Sequence, residues 1–212
     1  MEILDKSFDT VKENLIFDEL LLSEAENGKR AKTLRVWEPE DYAVVIGKGC
    51  SEEEDVYTER CLKENVPVLK RASGGGTVLI GKGCLGYSLV LPYEANTNFT
   101  NIKQSYKYIL GKIAGAFSEK GINLTYEPVS DLALDNKKVS GNSQARKRKF
   151  FLHHGTFLYA LDLDKVSYYL KEPKKIPPYR KFRKHKDFLA NLKLPASEIR
   201  SLIKSAFLEK IS

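Results

Sequence analysis

Three stretches of the chain carry residues whose types and spacing could do chemistry. The first is Lys70-Arg71-Ala72-Ser73-Gly74-Gly75-Gly76-Thr77. Consecutive glycines remove every Cβ, so the backbone can approach a ligand closely and adopt positive φ. Exposed N–H groups in such a loop can hold phosphate or carboxylate oxygens. Arg71 adds a permanently charged, planar donor fork for the same oxygens. No GK[ST] follows, which sets aside the P-loop, and a strand-like run follows rather than a helix, which sets aside the dinucleotide fingerprint. The simpler reading of the glycines is a flexible hairpin turn.

The second stretch is Asp131-Leu132 followed by Asn136-Lys137-Lys138-Val139-Ser140-Gly141-Asn142-Ser143-Gln144. A lysine entering an apolar, small-residue turn can set a point charge on an acyl or phosphoryl oxygen. Asp131 could hold that lysine or bind a cation. Asn142, Ser143 and Gln144 are neutral hydrogen-bonding groups suited to an adenine or ribose edge. The competing reading is an ordinary hairpin with solvated lysines. The third stretch, His153-His154-Gly155-Thr156, opens a strand. Adjacent histidines on a strand face opposite sides, so one can face a pocket while the other is structural; the simpler reading makes each a structural histidine.

Local patterns predict the elements that must position these groups. Residues 9–26 show a 3.6-residue apolar period ended by Gly28, and 100–119 is the clearest amphipathic helix. Strand-like runs occupy Thr33–Trp37, Tyr42–Gly47, Val66–Leu69, Thr77–Ile80 and Leu85–Leu91. Others follow at Asn123–Tyr126, Leu132–Leu134, Lys138–Ser140 and Phe150–Leu161. The acidic run Glu52–Asp55 suits a first helical turn, in a helix reaching about Lys63. Helical segments are expected near 164–170, 183–190 and 197–209. Short turns between neighbouring strands favour an α+β domain with a mixed, largely antiparallel sheet and flanking helices.

Composition narrows the class. With 212 residues and 42% hydrophobic content, the chain suits a single catalytic domain over 1–212. No apolar run is long enough to span a bilayer, and Met1-Glu2-Ile3-Leu4-Asp5 lacks a signal pattern. A cytoplasmic protein without membrane contact is the expectation. Cys50, Cys61 and Cys84 form an odd set without CxxC spacing, read as reduced thiols. His153, His154 and His185 lack zinc-ligand spacing with them. The net charge of +7 admits nucleic acid, a membrane surface or an acidic protein as partner.

Four ordered blocks span roughly residues 10–170. They are Glu13-Asn14-Leu15 with Phe17-Asp18-Glu19; Leu34-Arg35-Val36-Trp37-Glu38-Pro39 with Val44-Val45-Ile46-Gly47; Lys70 to Val78; and Lys138 to Gln144 with His153 to Thr156. Together they resemble the lipoate–protein ligase A family, within the biotin and lipoate ligase superfamily. The resemblance implies the α+β fold of those ligases and a two-step reaction. Lipoate or octanoate and ATP, with Mg²⁺, give acyl-AMP and pyrophosphate. A lysine amine of a lipoyl carrier domain then attacks the mixed anhydride. The resemblance makes Lys138 the catalytic residue. It makes Arg71, Ser73, Gly74, Gly75, Gly76, Thr77, Asp131, Ser140, Asn142, His154, Gly155 and Thr156 the acyl-adenylate-binding set, with Asp131 also a candidate Mg²⁺ ligand.

Three departures from the family pattern stand out. Ile80-Gly81 replaces the histidine and aspartate common after the glycine loop, which is expected to change polarity near the acyl chain. The stretch Tyr126–Asp131 holds no cysteine where related octanoyl- and lipoyl-transferases carry a nucleophile, and Cys84 is the thiol expected near the loop. The chain ends about 40 residues after the family core, so a separate accessory subunit supplies the C-terminal domain of many relatives, or the ligase dispenses with it. An ATP-independent transferase moving octanoyl or lipoyl groups between carriers is the alternative reading, and a non-catalytic binding protein that has kept the fold is a third.

Residues 171–186 are rich in lysine and arginine, with Tyr179 and Phe182 interleaved. The segment reads as a solvated loop, as a docking or phosphate-proximal surface, or, least favoured, as a nucleic-acid patch. Asp187–Leu192 after it reads as a helix packing back on the core.

Overall fold

The computed structural model describes residues 1–208. Strand β1 (Glu2–Asp5) leads into helix α1 (Val11–Glu26), which starts at a capping box: Thr10 accepts from the Glu13 N–H while Glu13 reaches back to Thr10. Strands β2 (Thr33–Trp37) and β3 (Ala43–Ile46) follow. Next come helices α2 (Glu52–Asp55) and α3 (Thr58–Lys63), then β4 (Val68–Lys70), β5 (Val78–Ile80) and β6 (Cys84–Pro92). Helix α4 (Ile102–Ser118) precedes β7 (Thr125–Glu127), β8 (Asp131–Leu134), β9 (Lys137–Arg146) and β10 (Phe150–Leu158). Helices α5 (Leu163–Tyr169), α6 (His185–Phe188) and α7 (Ala196–Phe207) close the described chain.

The strands form two sheets. The larger has the order β1-β2-β6-β10-β9-β8-β7 and the smaller β4-β3-β5. Among the strands of the described residues, only β1–β2 and β3–β4 pair in parallel, so the mixed, largely antiparallel α+β architecture expected from the sequence is the one observed. One face of the large sheet carries Leu85, Tyr87, Leu89, Phe151 and Phe157, packed on α4 and α7 through Ile109, Ile113, Phe117, Ile199 and Ile203. The other face meets α1 through Val90 and Leu152 against Leu21, Leu22 and Ala25. The small sheet is buried with Trp37, Leu158 and Tyr169.

Several local expectations change. The helix expected over 52–63 is two short helices, because Val56 is drawn into the core as an extended residue that bridges Leu170. Strand β9 is a ten-residue strand, not three, since β8 and β10 satisfy its two edges in turn. Asp187–Leu192 is not a helix. Helix α6 stops at Phe188, and Leu189 is extended to bridge Lys138, while Leu192 buries its side chain. The C-terminal helix is observed to Phe207; its expected end at Glu209 lies outside the described residues.

Candidate functional site

Strand parity decides what the site contains. On β10, Phe151, His153 and Phe157 face α4, while Leu152, His154, Thr156 and Leu158 face the opposite side. The pairing of β9 with β10 sets Ser140, Asn142 and Gln144 opposite Phe157, Gly155 and His153, and sets Gly141, Ser143 and Ala145 opposite Thr156, His154 and Leu152. Simple alternation would put Lys138 with Ser140 on the α4 side. The β8–β9 ladder, however, passes from Leu132↔Ser140 to Ala133↔Lys138 and leaves Val139 unopposed. This bulge inserts one residue and reverses parity. Val139 fills the α4 core, and Lys138 turns to the face of Gly141 and His154. Its Nζ lies 2.7 Å from where a Cβ on Gly141 would stand, so that glycine gives the lysine its path.

Lys138 Nζ lies 2.9 Å from Asp131 Oδ1. The other oxygen, Asp131 Oδ2, accepts a 2.8 Å hydrogen bond from the Tyr179 hydroxyl. Burial and the adjacent carboxylate push the Tyr179 phenol far above its ordinary range, so it remains a donor. Both oxygens of Asp131 are therefore committed. Among the described residues no group of three or more His, Cys, Asp or Glu is placed to hold a metal ion around it, so the cation role that the resemblance implies stays a proposal.

The glycine loop is built from inside by Arg71. Its Nε donates to Ser73 Oγ at 3.0 Å, Nη1 to the Val45 carbonyl at 3.2 Å, and Nη2 to the Gly74 and Gly76 carbonyls at 2.6 and 2.8 Å. Gly47 permits this approach, because a Cβ there would overlap the Gly75 carbonyl and crowd Arg71. Ser143 Oγ donates to the Gly74 carbonyl at 2.8 Å. With these carbonyls engaged, the N–H groups of Gly74, Gly75 and Gly76 find no acceptor among the described residues. Gly75 has φ +83°, the left-handed region that favours glycine. The result is a short array of open amides suited to an anion.

The loop is latched to β10 through Ser73. Ser73 Oγ accepts from Arg71 and shares a 2.6 Å hydrogen bond with His154 Nε2. The other ring nitrogen, Nδ1, lies 4.0 Å from Asp18 Oδ2. Burial, with Arg71's charge beside it, holds the His154 imidazole down at about 3, so it is neutral. Asp18 is itself fully buried and paired with Arg35 Nη1 at 2.7 Å. Sequence reading left Asp18 and Arg35 out of the site, although an arginine inside Leu34–Trp37 and an aspartate inside an apolar helix face were the visible sign of a buried pair.

Other residues of the expected set sit elsewhere. Ser140 and Asn142 face α4. Asn142 Nδ2 donates to the Ser130 carbonyl at 2.9 Å and to Ser140 Oγ at 3.2 Å, and its oxygen accepts from Tyr87, which also reaches His153. Gly155 makes room for this amide, since a Cβ there would overlap Asn142 Oδ1. Asn142 is thus a structural clamp, not a free nucleotide contact. Thr77 Oγ1 is held by Asp55 Oδ2 at 2.6 Å and ties the loop to α2. Thr156 stays on the His154 face, half-buried.

A groove of about 700 Å³ opens beside the loop, with Ile16, Leu20, Leu22, Ala72, Gly74 and Ala145 in its wall and Glu19, Lys48 and Arg146 among its polar groups. Ile80 and Gly81 are not in this wall. Ile80 is buried in the small-sheet cluster and Gly81 lies under the Tyr42 ring. The thiol at the loop is Cys50, whose Sγ donates to the Gly75 carbonyl at 3.2 Å; this corrects the expectation for Cys84. Pairing β3 parallel to β4 brings the residues after Gly47 against the loop. Cys84 is fully buried, and burial pushes its thiol up to about 12.

The basic segment is a strap, not a free loop. Arg180 is buried on Glu172 at 2.6 Å, Arg183 Nη1 donates to the Asn136 carbonyl at 2.8 Å, and the Ala190 N–H donates to the Lys138 carbonyl at 2.9 Å.

A family model described as the lipoyl protein ligase A/B catalytic domain matches residues 10–206. Inactive lipoate–protein ligase 2 of Plasmodium falciparum is 29% identical over 71% of this chain and 47% of its own length. Lipoate–protein ligase 1 of Staphylococcus aureus is 29% identical over 63% of this chain and 40% of its own length. Octanoyltransferase LipM of an Exiguobacterium strain is 26% identical over 71% and 62%. The chain spans roughly half the length of the curated relatives it matches. Among solved structures, a lipoate–protein ligase A bound with ATP superposes with TM-score 0.82 at 22% identity, covering 97% of this chain and 83% of that one. The bi-partite lipoate protein ligase of Thermoplasma acidophilum gives 0.78 at 21%, covering 97% and 81%. At these identities the structural likeness establishes the shared fold.

Proposed function

The chain belongs to the lipoyl protein ligase A/B catalytic domain family, and we propose that it activates lipoate or octanoate with ATP and transfers the acyl group to a lysine of a lipoyl carrier domain. The observation that carries this reading is the placement of Lys138 on the same sheet face as the open amides of Gly74–Gly76. An anion lying on those amides would meet a fixed ammonium. In the first step a carboxylate oxygen attacks the α-phosphorus of ATP; the new O–P bond forms as the bond to pyrophosphate breaks. Lys138 neutralises charge on the phosphoryl and acyl oxygens as it develops. In the second step a carrier lysine amine attacks the acyl carbon, AMP leaves, and the amine gives up a proton. No enzyme-bound ester or thioester is required, and orientation supplies much of the rate. Mg²⁺ would come with the ATP phosphates, with Asp131, each of whose oxygens already holds one donor, as its candidate protein ligand. The groove beside Ala72 and Gly74 offers an apolar wall for the acyl chain.

Incubation with ATP, Mg²⁺, lipoate or octanoate and a panel of carrier domains, read by intact mass, tests the proposal together with acid-dependent exchange of pyrophosphate into ATP. Undiminished exchange in Lys138→Ala removes the role given to that residue. A separate accessory subunit, as in the bi-partite Thermoplasma ligase, belongs to the proposal; its addition would raise transfer.

ATP-independent acyl transfer between carriers is the second reading, favoured by the likeness to an octanoyltransferase and by the position of Cys50 at the loop. Full activity of a protein lacking Cys50, Cys61 and Cys84, together with strict ATP dependence, excludes it.

A further inference from the structure

The strap between α5 and α7 carries a feature that the acyl-adenylate site does not use. Phe182 is 91% exposed, more than any other large apolar side chain described. Single exposed apolar residues are ordinary on protein surfaces; this one is held out by its backbone. Lys181 and Phe182 both have positive φ, +50° and +60°, a region that residues with side chains seldom occupy. The residues on either side are tied down. The Tyr179 hydroxyl is on Asp131, Arg180 is buried on Glu172, and Arg183 spends its guanidinium on the carbonyls of Asn136, Tyr179 and Arg180. The backbone that carries the aromatic tip is therefore held on both sides, so little loop freedom would be lost on binding.

Charge completes the pattern. Lys174 and Lys186 have acidic partners in Glu54 and Asp164. Lys181 and Lys184, flanking Phe182, pair with no carboxylate among the described residues, and Arg183 meets three carbonyls and the Phe188 ring but no carboxylate among them. The surface is an aromatic knob in an uncompensated basic ring. It borders the site, because Asn136 lies in the hairpin that leads to Lys138 and Ala190 donates to the Lys138 carbonyl. A lysine delivered on an extended side chain needs its parent domain to rest at such a rim.

We infer that the Lys181–Lys184 turn is the docking surface for an acidic protein domain, the carrier whose lysine is acylated. This rests on the reading given under Proposed function. Single-stranded nucleic acid is the weaker fit. Tyr179, the second aromatic that base stacking would need, is turned inward to Asp131, which leaves Phe182 alone.

The test uses the full chain, Phe182→Ala, and the double variant Lys181→Glu with Lys184→Glu. Each is titrated with an acidic lipoyl carrier domain by fluorescence anisotropy, and each is assayed for carrier-independent pyrophosphate exchange. The expected result is carrier affinity weakened about 10-fold or more in both variants, as for loss of an interface anchor, with exchange within about two-fold of wild type, a span well inside the same free-energy scale. Wild-type affinity should fall with salt, and the double variant should lose most of that dependence. Phe182→Trp should restore binding. Unchanged affinity in both variants, or no wild-type binding, overturns the inference; so does a surface that binds an unrelated oligonucleotide through these residues while carrier affinity is unmoved. Absent exchange in the wild type is instead a failure of the ligase reading, and the anisotropy titration still decides the docking surface.

Discussion

Lys138 and Asp131 form an ion pair at 2.9 Å across Gly141, and the Tyr179 hydroxyl closes the remaining carboxylate oxygen. The lysine is held in place before any substrate arrives. Lys138→Ala should lower the rate of acyl-adenylate formation about 10²–10³-fold, the usual cost of removing one charge-stabilising donor. Asp131→Asn keeps a partner for Tyr179 but loosens the lysine, and a drop of about 10-fold, near 1.4 kcal/mol, is expected. Pyrophosphate exchange at saturating ATP measures both.

Asp18 and Arg35 are buried together beneath the glycine loop, at 1% and 0% exposure. Removing one partner leaves an uncompensated charge in the interior. Asp18→Ala should destabilise the fold by about 3–5 kcal/mol, read from urea unfolding. Replacing both by apolar residues should recover much of that loss, while His154 would lose the carboxylate its Nδ1 faces.

Gly47 is required by contact, not by conformation, because a Cβ there would overlap the Gly75 carbonyl. Gly47→Ala should cost about 1–3 kcal/mol as overpacking. The loop is the part free to yield, so exchange activity should fall further than thermal stability. Parallel thermal-shift and exchange measurements separate the two effects.

His153 is buried and His154 nearly so, and both are held near 3, His153 by burial first and then by its neighbour. Unfolded, each titrates near 6.5. Between those values the unfolded chain binds more protons than the native one, so stability falls as pH drops from about 6.5. The midpoint of urea unfolding should decline between about pH 6.5 and 5, above the carboxylate range. A His154→Gln protein should show a shallower decline. The same depression predicts no inflection from His154 in the pH–rate profile near neutrality; an inflection there that vanishes in His154→Gln would contradict the neutral latch.

Much of this was legible in the chain itself. The periods of α1 and α4, the β-branched runs of β2, β3 and β6, and the ordered blocks around the glycine loop and Lys138 are local patterns, and local patterns survive reading one residue at a time. The family followed from their order. What the tertiary structure alone decided was orientation. Alternation along Lys138–Gln144 would align Lys138 with Asn142, but the bulge at Val139, imposed by pairing with β8, sends the lysine to the face of Asp131 and Gly141 and leaves Asn142 in the core. Tyr179 became a clamp on Asp131, and Cys50 replaced Cys84 beside the loop, because segments distant in sequence pack together. Register and packing depend on contacts made across the whole sheet, and no window of the sequence contains them.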